Sequence, residues 1–284
     1  AHAAPVGGGT PPRGGVGPHS QASFTGADGK RLTIQTGEEL GHGSTSVVYA
    51  DPNDAKKAIR ITEPGRGGIT EAPALDRAGR QAVESIQRPN GPIRIVEPGQ
   101  PVMVNDPSSP LNGKIVEVVE RLENGSADKF LPAQGGRMTS GQAQAFADAT
   151  SELNKNGYVW MDNHTGNYGF EKIPNTEDGW KVVVLDPGGI VPMRGGAEAA
   201  EKARAFQTAL NGCEEGMDDF MKYAKSPERG EGFLEDFTMR ERMRFMSEFG
   251  DDIDVAAMGL KDPKDIAWYP LGTAEHPEVQ KLYR

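Results

Sequence analysis

The chain has 284 residues, with 36% hydrophobic and 25% charged residues, which is enough to bury the core of one large domain or of two lobes. Its formal net charge of -10 disfavours binding to nucleic acid, because phosphates would be repelled and the sequence offers no basic stripe. The single cysteine, Cys213, excludes an intramolecular disulfide and fits a reducing compartment, and no apolar run is long enough for a membrane span, so we expect a soluble protein.

The N-terminal segment is rich in glycine and proline. Residues 1–29 contain the run "APVGGGTPPRGGVGPHSQAS", which offers too little apolar surface to offset the entropy lost on ordering. This composition predicts a flexible tail over residues 1–29. Folding is expected to begin near "KRLTIQTG", where Leu32 and Ile34 alternate with polar residues as in a strand.

The pattern over residues 30–122 is mainly that of β-strands. A glycine turn precedes the β-branched strand "SVVYA", and the tight turn "DPND" leads into the strand "KKAIRI". Helix-forming residues follow in "TEAPALDRAGRQAVESIQR", which ends before the stop signal "PNGP". The segments "IRIVE" and "KIVEVVERL" predict two more strands.

Residues 123–284 have a mainly helical pattern. The segment "TSGQAQAFADATSELNKNG" predicts a helix that begins at a Thr or Ser cap and ends at Gly157. A strand pair is predicted at "YGFEKI" and "WKVVVLD", and most of the chain from Ala197 to Arg284 is predicted to be helical. The fold class is therefore α+β with two segregated lobes, for which a ligand cleft between the lobes is the default expectation.

A polar loop, "WMDNHTGN", lies between two apolar segments in the second half of the chain. It carries Asp162, His164 and Asn167. The loop resembles the catalytic loop of protein kinases, H-R-D-x-x-x-x-N, in which the Asp serves the acceptor hydroxyl and the Asn holds a metal ion. Trp160 and Met161 replace the His-Arg pair, so control through phosphorylation of an activation loop is not expected.

The segment "VVVLDPGG" resembles the D-F-G segment of the same family. An apolar strand delivers Asp186, whose carboxylate would coordinate Mg²⁺ at the nucleotide phosphates, and Gly188 would permit the sharp turn that follows. Pro187 stands where phenylalanine is usual. The order and separation of the loop and this segment match those of kinases.

The segment "LGHGSTSVVY" resembles the glycine-rich loop, which places backbone amides close to nucleotide phosphates. The strand "KKAIRI" resembles the strand that carries the phosphate-binding lysine. Alignment of Ala58 with the alanine of V-A-I-K places Arg60 at that position, whereas a shift by three residues places Lys57 there. Lys57 is favoured as a compact ammonium, and Arg60 remains open. The residues that would contact the nucleotide phosphates in the glycine-rich loop are Gly41, Gly43, Ser44 and Thr45.

The predicted helix before "PNGP" would supply a carboxylate partner for the phosphate-binding base. Glu84 is the first candidate, and Glu71 is the second. Both assignments follow from the resemblance and not from the helical pattern.

The resemblance to protein kinases covers Glu38 to Gly189, and the closest likeness is to minimal bacterial effector kinases of the OspG and NleH type. It implies a two-lobed fold with a small β-rich N-lobe (30–122) and a mainly helical C-lobe (123–284). It further implies ATP- and Mg²⁺-dependent transfer to a protein hydroxyl, Ser or Thr more than Tyr. By analogy, the protein would be secreted by bacteria into the host cytoplasm and would act on a host signalling protein.

Two other functions remain open for the same fold. His164 suggests a small-molecule acceptor, because an Asp-x-His-x-x-Asn loop is familiar from aminoglycoside phosphotransferases. The ambiguous lysine suggests a catalytically inert pseudokinase that serves as a binding module.

Overall fold

The computed structural model describes residues 15–42, 46–63, 72–161, 163, 165–212 and 248–260, with the backbone alone over 72–75 and 206–212. In this part of the chain no helix is long and apolar enough to cross a membrane. The helices are α1 (Ala72–Ile86), α2 (Ala127–Phe130), α3 (Ser140–Lys155) and α4 (Gly196–Gly212). The strands are β1 (Gln21–Thr25), β2 (Arg31–Gln35), β3 (Glu39–His42), β4 (Ser46–Ala50), β5 (Lys57–Thr62), β6 (Ile93–Ile95), β7 (Val102–Met103), β8 (Ile115–Glu120), β9 (Tyr158–Trp160), β10 (Tyr168–Lys172), β11 (Trp180–Val184) and β12 (Ile190–Pro192).

The α+β class is confirmed, and the chain divides into two compact units. The first comprises residues 1–70 and 96–123, and the second comprises 71–95 and 124–284. The sequence placed the segment 71–95 in the first lobe, but α1 and β6 belong to the second unit. The reason is long-range pairing, since β6 lies parallel to β11 and α1 packs against β12 and α3.

The first unit is built on a five-stranded antiparallel sheet with the order β3-β4-β5-β8-β7. Val47, Ile61 and Val116 lie directly opposite one another on three neighbouring strands, and all three are buried. Successive side chains of a strand point to opposite faces, so one face of this sheet carries the core.

Residues 15–29, which the composition assigned to a flexible tail, form part of this core. Strand β1 pairs with β2, and Val16, Ala22 and Phe24 pack with the buried side chains of the sheet. The Tyr49 hydroxyl donates a hydrogen bond to the Val16 carbonyl at 2.7 Å. The alternation of Ala22 and Phe24 signals a strand that the surrounding Gly and Pro residues obscured. Residues 1–14 of the predicted tail lie outside the described part.

The second unit contains two small sheets with helices packed on them. β10 and β11 form the predicted antiparallel hairpin, and β9 pairs with β12. The predicted limits of α3 are confirmed: Thr139 is its N-cap in a capping box with Gln142, and Gly157 follows its end with φ 84°. Helix α4 confirms the start of the predicted helical region, whereas the helices predicted over 217–225 and most of 239–250 lie outside the described residues.

Asp178 fastens the start of α3 to the β10–β11 hairpin. Its carboxylate accepts hydrogen bonds at 2.7 Å from the Thr139 hydroxyl, the Trp180 indole N–H and the Gly141 amide. These bonds, that from Thr139 first, hold the pKa of Asp178 below its usual value. The ionised carboxylate therefore stabilises the helix start.

Phe24→Ala should lower the free energy of unfolding by roughly 3 to 5 kcal/mol, because it empties a fully buried site. Leu32→Ala, in the same hairpin but 37% exposed, is the matched control and should cost clearly less. Urea unfolding of both variants measures the difference. Equal losses in the two variants would show that residues 15–29 do not contribute to the core.

Asp178→Asn should remove part of the acid sensitivity of folding. Because the folded-state pKa is lowered, the stabilisation is present above the unfolded-state pKa of about 3.9 and is lost as the pH falls through the folded-state pKa. Unfolding measured from neutral to acidic pH should thus show a shallower decline in the variant. Asp148→Asn, exposed on α3, is the control, and an unchanged slope in Asp178→Asn would contradict the assignment.

Candidate functional site

The polar loop between β9 and β10 is held by main-chain hydrogen bonds at both ends. At its start the Met161 amide donates to the Gly189 carbonyl at 2.8 Å. At its end the Asn167 carbonyl accepts from the Leu185 amide at 2.8 Å and from the Asp186 amide at 3.2 Å. The loop is therefore attached to the Asp-Pro-Gly turn independently of its side chains.

Two more contacts support the loop from within the second unit. The Thr165 carbonyl accepts a hydrogen bond from the Asp128 amide of α2 at 3.0 Å. The residues that flank the loop, Trp160 and Tyr168, are buried and stack edge to face with their ring centroids 5.6 Å apart. Phe146 of α3 contacts both rings, at 5.9 and 5.0 Å.

Burial affects the titration of the Tyr168 hydroxyl. It raises the pKa of Tyr168 to about 12. The phenol is therefore neutral at physiological pH and adds no charge beside the loop.

Two predicted metal ligands, Asn167 and Asp186, are brought together in the second unit. Asn167 is only 7% exposed, and its main-chain carbonyl accepts a hydrogen bond from the Asp186 amide. The Asp186 Oδ1 atom accepts a hydrogen bond from the Gly188 amide at 3.2 Å, which orients this carboxylate in the turn. The other two predicted residues of the loop, Asp162 and His164, lie outside the described residues.

A carboxylate that the sequence did not single out, Asp76 of α1, also reaches this turn. A Cβ added at Gly188 would lie 2.9 Å from Asp76 Oδ1 and 3.5 Å from Asp186 Oδ1. Two carboxylates therefore flank one glycine, no further apart than the sum of these distances. The predicted Glu84 is instead 43% exposed in its side chain and lies 3.7 Å from Arg80, one turn away on the same helix. Glu71 lies outside the described residues.

Of the two glycines at this contact, space explains Gly79, and neither has a left-handed backbone conformation. The sequence assigned Gly188 to a sharp turn, yet its φ is not in the left-handed region. A Cβ there would lie 2.9 Å from the Asp76 Oδ1 atom, which is the end of a side chain that can move aside. At Gly79 of α1, a Cβ would lie 1.9 Å from the Pro187 carbonyl oxygen, so helix and turn touch through main-chain atoms.

In the first unit, Arg60 shares a face of the sheet with the described part of the glycine-rich segment. Arg60 lies directly opposite Val48, and Val48 lies opposite Gly41. Directly opposite residues of antiparallel strands point to the same face, so Arg60, Val48 and Gly41 share one face. Ala58 lies on this face too, because it is two residues before Arg60 on the same strand. Gly43, Ser44 and Thr45 lie outside the described residues.

Lys57 lies on the other face of the same strand. Lys57, Ile59 and Ile61 are spaced two residues apart and therefore share a face, and both isoleucines belong to the core cluster of the first unit. At the end of the strand the Lys57 side chain is exposed, opposite Glu120. The register therefore separates the two candidate bases by face, which the sequence could not do.

The donor atoms around the turn are oxygens. Among the described residues no three His, Cys, Asp or Glu side chains form a group that could hold a metal ion. The turn nevertheless offers the Asp186 carboxylate and the Asn167 amide, and oxygen donors of this kind are those that Mg²⁺ prefers. The two residues therefore fit a site that is completed by other oxygens, such as those of phosphates or water.

The chain matches no model of a known protein family and no curated protein sequence. The candidate groups of each unit are thus defined by the geometry of that unit alone. In the second unit Asn167, Asp186 and Asp76 meet at one turn, and in the first unit Arg60 and Gly41 share one face of a sheet.

Gly79→Ala tests the contact between α1 and the turn through the sign of its effect. In an ordinary helix interior this substitution stabilises by roughly 0.5 to 1 kcal/mol. Here the new methyl group would collide with the Pro187 carbonyl, so we expect a loss of about 1 to 3 kcal/mol in urea unfolding. Arg77→Ala, exposed on the same helix, is the control, and a stabilised Gly79→Ala variant would rule out the contact.

Proposed function

We propose that the chain is an ATP- and Mg²⁺-dependent phosphotransferase of protein-kinase-like fold that phosphorylates a Ser or Thr hydroxyl of a partner protein. The observation that carries the proposal is the bonding of the Asn167 carbonyl to the amides of Leu185 and Asp186. It joins an Asp-x-x-x-x-Asn loop to an Asp-Pro-Gly turn, the two segments that phosphoryl transfer in kinases requires.

Strand pairing supports the same arrangement. The loop connects β9 to β10, and the turn connects β11 to β12. Because β9 pairs with β12 and β10 pairs with β11, the loop and the turn must leave the paired strands side by side. The hydrogen bond between Met161 and Gly189 extends this pairing up to the loop.

The roles of the second-unit residues follow from their chemistry. Asp186 and Asn167 would hold the divalent ion through oxygen atoms, and the bound ion neutralises charge on the phosphates. Asp162 would accept the proton of the acceptor hydroxyl. The buried Trp160 and Tyr168 rings pack together at the two ends of the loop, and such packing supports the positioning that this chemistry needs.

Phosphate binding in the first unit is assigned to Arg60. It lies on the face that carries Val48 and Gly41 of the glycine-rich segment, whereas Lys57 lies on the core face. A guanidinium is always charged and binds phosphate oxygens in a bidentate manner, so it can serve where lysine is usual. Asp76 of α1 reaches the turn and would add a carboxylate beside Asp186. Glu84, which was predicted as the partner of the phosphate-binding base, lies beside Arg80 on the same helix instead.

The arginine also favours a second candidate, a nucleotide-binding module without transfer activity. A planar guanidinium places charge differently from the lysine ammonium, and the exchange is not conservative where geometry matters.

Supplied with labelled ATP, casein as a generic protein acceptor and an aminoglycoside, the protein should transfer the γ-phosphate to itself or to casein; label on the aminoglycoside instead would show a small-molecule acceptor. Asp186→Asn should lower the rate by about 100-fold or more, because the charge that holds the metal ion is lost. Asp251→Asn, exposed in the described 250–252 turn, is the matched control. Full-rate labelling by Asp186→Asn would refute the proposal. Thermal stabilisation by ATP and Mg²⁺ without any product would establish the binding module instead.

Two matched pairs of variants test the residue assignments in the same assay. Arg60→Ala should lower kcat/KM for ATP by about tenfold or more relative to Lys57→Ala, because it removes charge-assisted hydrogen bonds to phosphate. Asp76→Asn should likewise lower kcat/KM for ATP more than Glu84→Gln does. If Lys57→Ala or Glu84→Gln has the larger effect, the corresponding assignment is wrong while the proposed activity stands.

A further inference from the structure

The sequence contains five Asn-Gly pairs, which differ in their hydrogen bonding. An asparagine followed by glycine can react with its own main chain, because glycine has no Cβ to hinder the approach of its amide nitrogen to the side-chain carbonyl carbon. The reaction requires that this amide nitrogen and the asparagine side chain are both available. The pairs are Asn90-Gly91, Asn112-Gly113, Asn124-Gly125, Asn156-Gly157 and Asn211-Gly212.

Asn112-Gly113 shows how the fold blocks the reaction. The Gly113 amide donates to the Val104 carbonyl at 3.0 Å, and the Asn112 Oδ1 atom accepts from the Asp106 amide at 2.9 Å. The Gly113 amide and the Asn112 side chain are therefore both engaged in hydrogen bonds, although Asn112 is exposed.

Two further pairs are blocked at the glycine amide. Gly91 donates to the Arg88 carbonyl at 3.0 Å, and Gly157 donates to the Asn154 carbonyl at 3.0 Å. The Asn156 side chain is also engaged, since it donates to a main-chain carbonyl of α3 at 2.8 Å. The fifth pair lies in α4, where only the backbone is described.

Asn124-Gly125 differs from these pairs. Asn124 is exposed, and among the described residues its side chain makes no hydrogen bond. The Gly125 amide closes the turn at residues 123–124 without a hydrogen bond of ordinary length and angle. Gly125 has φ 73°, close to the 78° of Gly113, so backbone conformation does not distinguish the two pairs. The space around Gly125 is open, because an added Cβ would find its nearest neighbour, the Lys129 Cβ, only at 4.0 Å.

We propose that Asn124 is a site of spontaneous deamidation in the folded protein. The Gly125 amide nitrogen, after losing its proton, attacks the Asn124 side-chain carbonyl carbon, and the side-chain nitrogen leaves as ammonia. Water then opens the resulting five-membered succinimide at either carbonyl. The products are aspartate and isoaspartate, and the second of these carries one additional carbon in the main chain.

The position gives the modification a measurable consequence. Asn124 follows β8 and precedes α2, where the chain passes from residues of the first unit to residues of the second. Either product adds one negative charge to a chain that already carries -10. The modified protein should therefore separate from the unmodified protein by anion exchange.

The test compares each site with itself in the folded and the unfolded chain. The protein is incubated at mildly alkaline pH with and without denaturant, and peptide mass spectrometry follows the loss of each asparagine. The protection at a site is its rate in denaturant divided by its rate in the folded protein. Because a bonded amide reacts only after local opening, protection should be about tenfold or more at Asn90, Asn112 and Asn156, and near unity at Asn124.

A variant checks that the charge variant arises at this pair. Asn124→Gln should remove the early acidic species from anion exchange, since a six-membered ring closes far more slowly. Protection at Asn124 equal to that at Asn112 would overturn the proposal. So would an acidic species that persists unchanged in Asn124→Gln.

Discussion

The second unit depends on the main-chain carbonyl of Asn167, which accepts hydrogen bonds from two consecutive amides, those of Leu185 and Asp186. These two hydrogen bonds fix where the polar loop ends relative to where the turn begins. The pairing of β9 with β12 and of β10 with β11 leads both segments to the same place. The main chains of Asn167 and Asp186 are therefore joined directly, and the bonds satisfy backbone groups that would otherwise lack partners.

Local patterns were sufficient to predict those parts of the fold that local interactions determine. The limits of α3 follow from a Thr cap and a terminal glycine, and the β10–β11 hairpin follows from two apolar segments around a polar turn. The loop and the turn could be located because Asp162, Asn167 and Asp186 keep a recognisable spacing. That Asn167 is bonded to the turn at Asp186 could not be known until strand pairing was seen.

Other features depend on distant partners and left little local signal. The face to which Lys57 or Arg60 points is set by pairing with β4, and both alternations suited an isolated strand. The importance of Asp76 depends on which face of α1 meets the turn, and helical periodicity does not reveal this. The spacing of Asp76 and Gly79, three residues apart on one helix face, was the available clue. Residues 15–29 join the core only because β1 finds β2 and the sheet.

The contact between Gly79 and Pro187, like the bonds of Met161 and Asn167, is made by main-chain atoms. Such contacts are indifferent to the chemical identity of most neighbouring side chains. During evolution, the residues around them can change as long as position 79, where a Cβ would overlap the Pro187 carbonyl, stays glycine. Overall sequence similarity can thus fade in this region while its shape persists, so spacing and small-residue positions are a better guide to distant relatives of this chain than identity.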